Sequence, residues 1–498
     1  MKKLSIAHIV SAYISILLCV YPLFFTIRGY AAMSDAKLYC FWALTICAFL
    51  CATIIGWRSE CNISKIGRAV VNTESVVCLA VLLLVSLIIS AACSNDPYMT
   101  INSERGVAWH FVYFVLFLSV GLFGRWHSAY VWAGTIAAVV NAVIMSVQLQ
   151  GENPFGLYPQ GLTYYDAHRL YSGEYLGTLG NSDIFGIWLF IITALCAGVL
   201  IIAEKCSQRV AGILGLFSAV YCGAASGTTG FIVAAVALAP ILGFFLVSSI
   251  QKLTRWISVL VTGVSAYLTG SSLQNLSTNS FQGAMVFLPV LFLILGVSIL
   301  CLSHCGEIGP GIYTKKEVKS RWFWLILTIG CVVMGCGIIY YVEPTEMAGM
   351  HYELYAILHG KVDSSFGSNR FLIWKECVSA IKKNPILGAG EPFTDVVHVT
   401  FQRTTEAGVV LATVVRDAHN ILLSWLVHNG IVGTILVIAL LGIVLYRGIR
   451  YGTERAHLCC AVLCGYLVIE MTALGGYFTD PIFWCFAGLV ISESRKNA

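Results

Sequence analysis

Charged residues are scarce in this chain. Only 11% of its 498 residues are Asp, Glu, Lys or Arg, whereas 58% are hydrophobic. A soluble globular protein has about a quarter of its residues charged, so this composition excludes that class. It indicates an integral membrane protein that crosses the bilayer many times. The net charge of +5 follows from membrane orientation, as shown below, and gives no reason to expect a nucleic-acid partner.

The sequence also lacks the features that separate soluble domains or hold small ones together. It has no linker, low-complexity tract or repeat, so we predict one polytopic membrane domain over residues 1–498. Most of its 19 cysteines fall in apolar runs, where cysteine acts as a small hydrophobic residue. Only Cys377 lies in the long polar loop, without a disulfide partner there. No Cys/His spacing indicates zinc, and we expect no metal or other cofactor.

Long apolar runs are what the chain has in abundance. A helix needs about 20 apolar residues to cross the hydrocarbon core, and 14 segments qualify. The sequence therefore predicts an all-α integral membrane protein, a polytopic helical bundle of about 12–14 transmembrane helices, because the seventh, ninth and fourteenth segments are short and contain glycine. The predicted spans are 5–27, 38–56, 70–93, 107–124, 128–148, 184–203, 210–225, 230–250, 257–273, 283–303, 323–342, 418–446, 456–475 and 479–493.

The distribution of basic residues predicts how these spans are oriented. Short cytoplasmic loops collect Lys and Arg. With both termini in the cytoplasm, the cytoplasmic segments contain 19 of the 30 basic residues and the short outer loops contain four. The remaining seven lie in residues 343–417, which this alternation places outside. We expect the protein to lie in the cytoplasmic membrane with two substantial outer segments, 149–183 and 343–417.

The outer segment 343–417 is too long for a plain connection, and loops of this length are usually functional. Within it the sequence predicts a surface helix at about 369–383, because Phe371, Trp374, Val378 and Ile381 recur at helical spacing. Ser368 or Asn369 can cap its start, which leaves Arg370 in the first turn. An Arg is unfavourable at the positive end of a helix dipole, so an anionic ligand is one explanation for Arg370 and a nearby Glu is another.

The segment Arg416–Asn420 leads directly from this loop into the apolar run that follows. We predict Asp417 as the N-cap of the helix, with His419 and Asn420 in its first turn. A neutral imidazole there can take a proton from a hydroxyl nucleophile. Arg416 and Arg370, with Arg403 as a third candidate, are suited to bind a diphosphate by bidentate hydrogen bonds. The alternative is a polar anchor at the membrane interface.

Four motifs follow one another within residues 365–440. They are an Arg shortly before a Trp in Ser368–Trp374, a Pro-x-x-Gly-x-Gly turn at Pro385–Gly390, the pair His419–Asn420, and Gly-x-x-Gly at Gly430–Gly433. In this order and spacing they resemble the bacterial O-antigen ligase and O-antigen polymerase family. Upstream, Gly177-Thr178 with Gly180-Asn181, and Glu104-Arg105-Gly106, resemble further elements of the family.

The resemblance implies a membrane glycosyltransferase of GT-C-like architecture with a large extracytoplasmic loop. Its donor would be a glycan on undecaprenyl diphosphate and its acceptor a glycan, lipid or protein, with the bilayer as its surroundings. In the family a motif His and loop arginines are essential, which corresponds to His419 and Arg370 here. The family's Ser-Arg pair before a middle span is replaced by Ser226-Gly227-Thr228. Arg416, Arg403 or Arg169 could replace that Arg, or Ser226 and Thr228 could donate hydrogen bonds instead.

The mechanism we expect is an inverting displacement at the anomeric carbon. His419 deprotonates or orients the acceptor hydroxyl, and Arg370 with Arg416 stabilises the departing diphosphate. Asp395 and Glu391 are alternative bases in the same loop. In the other outer segment, His168 and Arg169 either line the sugar-binding side or form a plain surface pair, and Asn420 is a further substrate-binding candidate.

A flippase or transporter of lipid-linked glycans is the alternative from another class. Such a protein needs charged or polar residues along a path through its spans. The candidates here are few: Glu74, His110, Asn141, His428 and Glu470. Substituting Glu470 should abolish transport and harm a transferase only modestly, whereas His419→Ala should do the reverse. The motifs do not distinguish a ligase from a polymerase, and the sugar and linkage are open.

Overall fold

The computed structural model describes residues 5–58, 74–166, 175–276, 284–305, 321–345, 349–404, 410–473 and 475–495. These residues form mainly α-helices. The helices are α1 Ile6–Leu23, α2 Met33–Arg58, α3 Glu74–Cys93, α4 Pro97–Asn102, α5 Val107–Phe123, α6 Ala129–Leu149, α7 Ser182–Ile202, α8 Cys206–Ala225, α9 Thr229–Leu246, α10 Ile250–Leu276, α11 Ala284–Cys305, α12 Arg321–Tyr341, α13 Met350–Leu358, α14 Arg370–Lys383, α15 Ile421–Tyr451, α16 Glu454–Ile469 and α17 Asp480–Ser494.

Two short antiparallel strand pairs complete the regular structure of the described residues. Tyr175–Leu176 (β1) pairs with Gly180–Asn181 (β2), and Thr400–Thr404 (β3) pairs with Val410–Val414 (β4). Single 3-10 turns occur at Gly29–Ala32, Pro154–Gly156, Tyr164–Asp166 and Phe393–Asp395.

The helices confirm the predicted class, an all-α polytopic membrane protein. Every one of the 14 predicted segments coincides with a helix, and ten helices of the described chain are long and apolar enough to cross a membrane. The predicted segments outside that set are α10, α11, α16 and α17. Helices α16 and α17 have 16 and 15 residues, fewer than the roughly 20 that a straight span needs.

The chain divides into two compact units. The first contains Met1–Val81, Phe111–Val318 and Ala439–Ala498, and the second contains Leu82–His110 and Lys319–Ile438. Helix α7 is the centre of the first unit and packs against α6, α8, α9, α10 and α16. It is apolar on every face, as expected for a helix surrounded by others. Its N-cap Asn181 accepts a hydrogen bond from the Asp183 amide at 2.9 Å.

Several polar groups buried in the first unit are hydrogen-bonded to one another. Pro22 lies in the last turn of α1, and the Lys37 ammonium donates to the carbonyl oxygens of Tyr21 and Pro22 at 2.9 and 2.7 Å. The Thr178 hydroxyl donates to the same Pro22 carbonyl at 2.6 Å, and its amide donates to Asn141 Oδ1 at 2.9 Å. The Gly177–Asn181 turn, singled out in the sequence, therefore satisfies buried polar groups here.

The second unit has a small apolar core of its own. Ile373, Cys377 and Ala380 of α14 are buried against residues of the 393–399 turn and of the segment that leads into α15. This buried face carries Ile373 and Cys377, whereas Val378 of the predicted apolar stripe is 42% exposed. The helix itself begins at Arg370, one residue after its predicted start.

Candidate functional site

His419 lies immediately before α15, in an unusual backbone conformation. Its φ is 49°, in the left-handed region that residues other than glycine seldom adopt. The helix begins at Ile421, and Asn420 Oδ1 accepts a hydrogen bond from the Leu423 amide at 3.1 Å. Asn420 is thus the capping residue. The prediction that Asp417 caps the helix was wrong, since the chain turns at His419 before the helix starts.

Asp417 fixes this turn instead. Its Oδ1 accepts the His419 amide at 2.6 Å, and its Oδ2 accepts the Ser424 hydroxyl at 3.0 Å. The same carboxylate forms an ion pair with Arg105 and is only 4% exposed. Because one carboxylate is held by a cation and a hydroxyl while it binds the His419 backbone, His419 has little freedom to move.

The His419 ring is half-buried, and its Nδ1 lies 3.1 Å from the carbonyl oxygen of Asp417. A carbonyl can only accept, so Nδ1 carries the proton when this bond is made. The other ring nitrogen, Nε2, is then the basic one. This tautomer is the one required of a histidine that accepts a proton through Nε2.

Helix α14 is docked beside the His419 turn. Trp374 Nε1 donates to the carbonyl oxygen of Ala418 at 3.0 Å, and Ala418 belongs to the same buried cluster as Ile373 and Cys377. Arg370, one turn before Trp374, is half-buried, and its Nη1 donates to the Gly367 carbonyl at 3.1 Å. The residue at the N-cap, Asn369, has a positive φ and makes no capping side-chain bond, contrary to prediction.

The remaining predicted phosphate ligands are placed as follows. Arg416 is exposed and lies in the same turn as His419. Arg403 lies on β3, where its backbone is opposite Leu411. The second unit therefore contains Arg370, Arg403, Arg416, His419 and Asn420.

The predicted substrate residues elsewhere in the chain have other surroundings. Ser226 and Thr228 belong to the first unit, where both are buried. Their hydroxyl oxygens are 2.9 Å apart, and the Ser226 hydroxyl also lies 2.9 Å from the Gly223 carbonyl oxygen. His168 and Arg169 lie outside the described residues.

The Pro-x-x-Gly-x-Gly turn packs into a break in α15. At Gly430 the helix has φ 61° and ψ −168°, which interrupts its hydrogen bonding. The Ile431 and Val432 amides donate to the carbonyls of Pro385 and Ile386 at 2.9 and 3.2 Å. In return, the Gly390 amide donates to the His428 carbonyl at 3.1 Å. Backbone groups freed by the break are thus satisfied by the turn, as a membrane helix requires.

Arg105 and His428 are two site residues that the sequence interpretation did not place here. Arg105 was noted only within an upstream motif, and His428 only as a possible transport residue. His428 Nδ1 lies 3.1 Å from Glu391 Oε1. In the sequence, Arg105 could have been noticed as a charged residue just before an apolar run. No sequence pattern, however, indicates that it pairs with Asp417.

Together these features define a polytopic helical membrane protein with a polar site where a span begins. A sequence model of the family described as O-antigen ligase matches residues 282–438, which include α14, the His419 turn and the Gly430 break. The match confirms the resemblance and supports assignment of the chain to the O-antigen ligase family. A match to this family suggests a glycan-transferring, O-antigen ligase- or polymerase-like membrane enzyme, and the family acts on lipid-linked glycans. No curated protein matches the chain.

Proposed function

We propose that the protein transfers or polymerises a glycan from an undecaprenyl-diphosphate carrier at the outer face of the cytoplasmic membrane. The observation that carries this proposal is the fixed His419 turn. Asp417 holds the His419 amide, and Trp374 ties the helix that begins with Arg370 to the neighbouring Ala418. A base and a cationic helix end are thereby held on adjacent segments.

In the proposed reaction the acceptor hydroxyl oxygen attacks the anomeric carbon from the face opposite the diphosphate. The bond between the anomeric carbon and the diphosphate oxygen breaks, and its electron pair remains on the diphosphate. The hydroxyl proton passes to His419 Nε2. Arg370 and Arg416, with Arg403 as a third candidate, stabilise the charge that develops on the leaving diphosphate. Asn420, Ser226, Thr228, His168 and Arg169 are proposed to bind substrate, and alanine substitution tests each.

The test is transfer by purified protein in lipid vesicles supplied with lipid-linked glycan repeats. A polymerase lengthens these repeats alone, whereas a ligase requires a second acceptor. His419→Ala should lower the rate of product formation about 100-fold or more, because general-base catalysis contributes about 10²–10⁴.

The matched control is His398→Ala, because His398 is an exposed histidine of the same loop. This variant should retain the wild-type rate. If His419→Ala inserts normally and keeps the wild-type rate, His419 is not the base. If the wild-type protein makes no product with any acceptor, the proposed function itself fails.

A further inference from the structure

Three successive residues directly before α14 have left-handed backbone conformations. The φ angles of Gly367, Ser368 and Asn369 are 63°, 56° and 67°. Glycine adopts this region readily, whereas Ser and Asn do so at a cost in free energy. Residues held in such conformations concentrate at functional sites, where the surrounding structure keeps them in place. Arg370, the proposed diphosphate ligand, follows this turn as the first residue of α14.

The segment around the turn fixes its local shape. The Asn369 amide donates to the Ser365 carbonyl at 2.8 Å, and the Leu372 amide donates to the Ser364 carbonyl at 3.1 Å. The Ser365 hydroxyl donates to Asp363 Oδ1 at 2.6 Å. These bonds define the path of the chain into α14, but they do not attach the turn to another helix.

Glu353 attaches the turn to α13. This residue is half-buried, and its Oε2 accepts the Gly367 amide at 3.1 Å. The ring of the neighbouring Tyr352 packs edge-on against that of Phe366, with 6.3 Å between centroids. Phe366 is buried, and its ring also lies 6.3 Å from that of Phe371. Helix α13 therefore holds Phe366 by packing and Gly367 by a hydrogen bond.

Arg370 binds the other side of the same glycine. Its Nη1 donates to the Gly367 carbonyl at 3.1 Å. The amide and the carbonyl of Gly367 belong to the two peptide units that flank one Cα, so the bond to Glu353 restricts the direction of that carbonyl. A guanidinium is a planar fork whose donors are fixed relative to one another. A bond through Nη1 therefore restricts where its remaining donors point.

We propose that Glu353 is a positioning residue for Arg370, and that by holding Gly367 it orients the guanidinium toward the diphosphate of the lipid-linked donor. This inference rests on the proposed function, in which Arg370 stabilises the leaving diphosphate. Bidentate binding of a phosphate requires two donors in the correct geometry, so a guanidinium that turns away loses much of its effect although its charge remains. Glu353 is itself negatively charged and unsuited to bind a diphosphate, so it acts through Arg370.

The test compares kcat/KM for the lipid-linked donor between two substitutions of Glu353 in the full-length protein in lipid vesicles. Glu353→Ala removes the acceptor of the Gly367 amide and should lower kcat/KM about 10- to 100-fold, the loss expected when a group that contacts the substrate is misplaced. Glu353→Gln keeps an oxygen that accepts the same bond, so it should retain most of the wild-type kcat/KM. The matched control is Glu343→Ala, which removes an exposed glutamate of the same outer segment and should have the wild-type value.

A double variant shows whether Glu353 acts through Arg370. In an Arg370→Ala background there is no guanidinium to position, so Arg370→Ala/Glu353→Ala should have the same kcat/KM as Arg370→Ala. If Glu353→Ala lowers kcat/KM by the same factor in both backgrounds, Glu353 only supports the fold and the proposal is overturned. Wild-type kcat/KM in Glu353→Ala, or an equal loss in Glu353→Gln and Glu353→Ala, would also overturn it. Failure of the proposed function would appear differently, as a wild-type protein that makes no product.

Discussion

At the scale of single residues, Asp417 has more influence on the site than its position before α15 indicated. It binds the His419 amide, the Ser424 hydroxyl and the Arg105 guanidinium at once. A left-handed conformation costs a residue other than glycine about 1–3 kcal/mol, so His419 needs such partners to remain there. The ion pair with Arg105 therefore supports the conformation of the candidate base and does not bind substrate directly.

Substituting Arg105 and Asp417 one at a time and together should show how much their ion pair contributes to stability. Asp417→Ala leaves the Arg105 guanidinium without its carboxylate, and such a loss costs about 3–5 kcal/mol when the pair is buried. Because Arg105 is 24% exposed, we expect the lower end of that range. The double variant Arg105→Ala/Asp417→Ala should be more stable than the sum of the single effects by about 0.5–3 kcal/mol. Thermal unfolding in detergent measures the stability of the wild-type protein, the two single variants and the double variant.

The control for this double-mutant cycle combines Asp417→Ala with Lys383→Ala. The second change removes an exposed cation from the same unit. These two effects should add. Additive effects of Arg105→Ala and Asp417→Ala as well would mean that the ion pair makes no contribution to the stability of the turn.

At the scale of elements, the break in α15 at Gly430 is the feature that holds the Pro-x-x-Gly-x-Gly turn of residues 385–390 in place. A Cβ on Gly430 would collide with the Ile386 carbonyl and the Gly388 amide, and the positive φ of Gly430 would be strained in any other residue. The adjoining Gly388 is equally confined, since its Cβ would lie 2.5 Å from the His428 carbonyl carbon. These two glycines allow the turn and the helix to approach closely.

Gly430→Ala should therefore destabilise the second unit by at least about 1–3 kcal/mol, from backbone strain alone. The expected result is a lower unfolding temperature and less folded protein in fluorescence-detected size-exclusion chromatography. Gly330→Ala in α12 is the matched control, because nothing lies within 4 Å of its added Cβ. That change should be neutral or stabilising by up to about 1 kcal/mol. Equal behaviour of the two variants would contradict the packing described.

The sequence predicts elements well and their contacts poorly, for identifiable reasons. Every predicted span became a helix because a run of apolar residues is a local property. The sequence does not identify the residues of α14 that are buried in the core, because Phe371, Trp374 and Val378 satisfy the helical spacing as well as Ile373, Cys377 and Ala380 do. Which set is buried depends on the residues at 393–399 and 415–427, which no local pattern identifies. The same is true of the pairing of Arg105 with Asp417.

At the scale of the whole molecule, the residues proposed for catalysis and diphosphate binding belong to the second unit, whereas Ser226 and Thr228 belong to the first. The predicted orientation places the 343–417 loop, and with it α14 and His419, outside the cytoplasm. Because undecaprenyl-diphosphate-linked glycans are proposed as donors at that face, the proposed function requires this orientation.

Cysteine labelling tests the orientation directly. In a variant that keeps Cys377 and has its other cysteines replaced, Ser379→Cys on the exposed face of α14 should react with a membrane-impermeant maleimide in cells whose outer surface is accessible. Ser207→Cys, at an exposed position near Lys205 and Arg209, should react only after permeabilisation.

Cys377 is the internal control on α14. Burial raises the pKa of its thiol to about 12, so it stays protonated and unreactive at pH 7 until the protein unfolds. If Ser207→Cys were labelled in intact cells and Ser379→Cys were not, the orientation would be the opposite of the predicted one. His419 would then lie on the cytoplasmic side, where the proposed reaction does not take place.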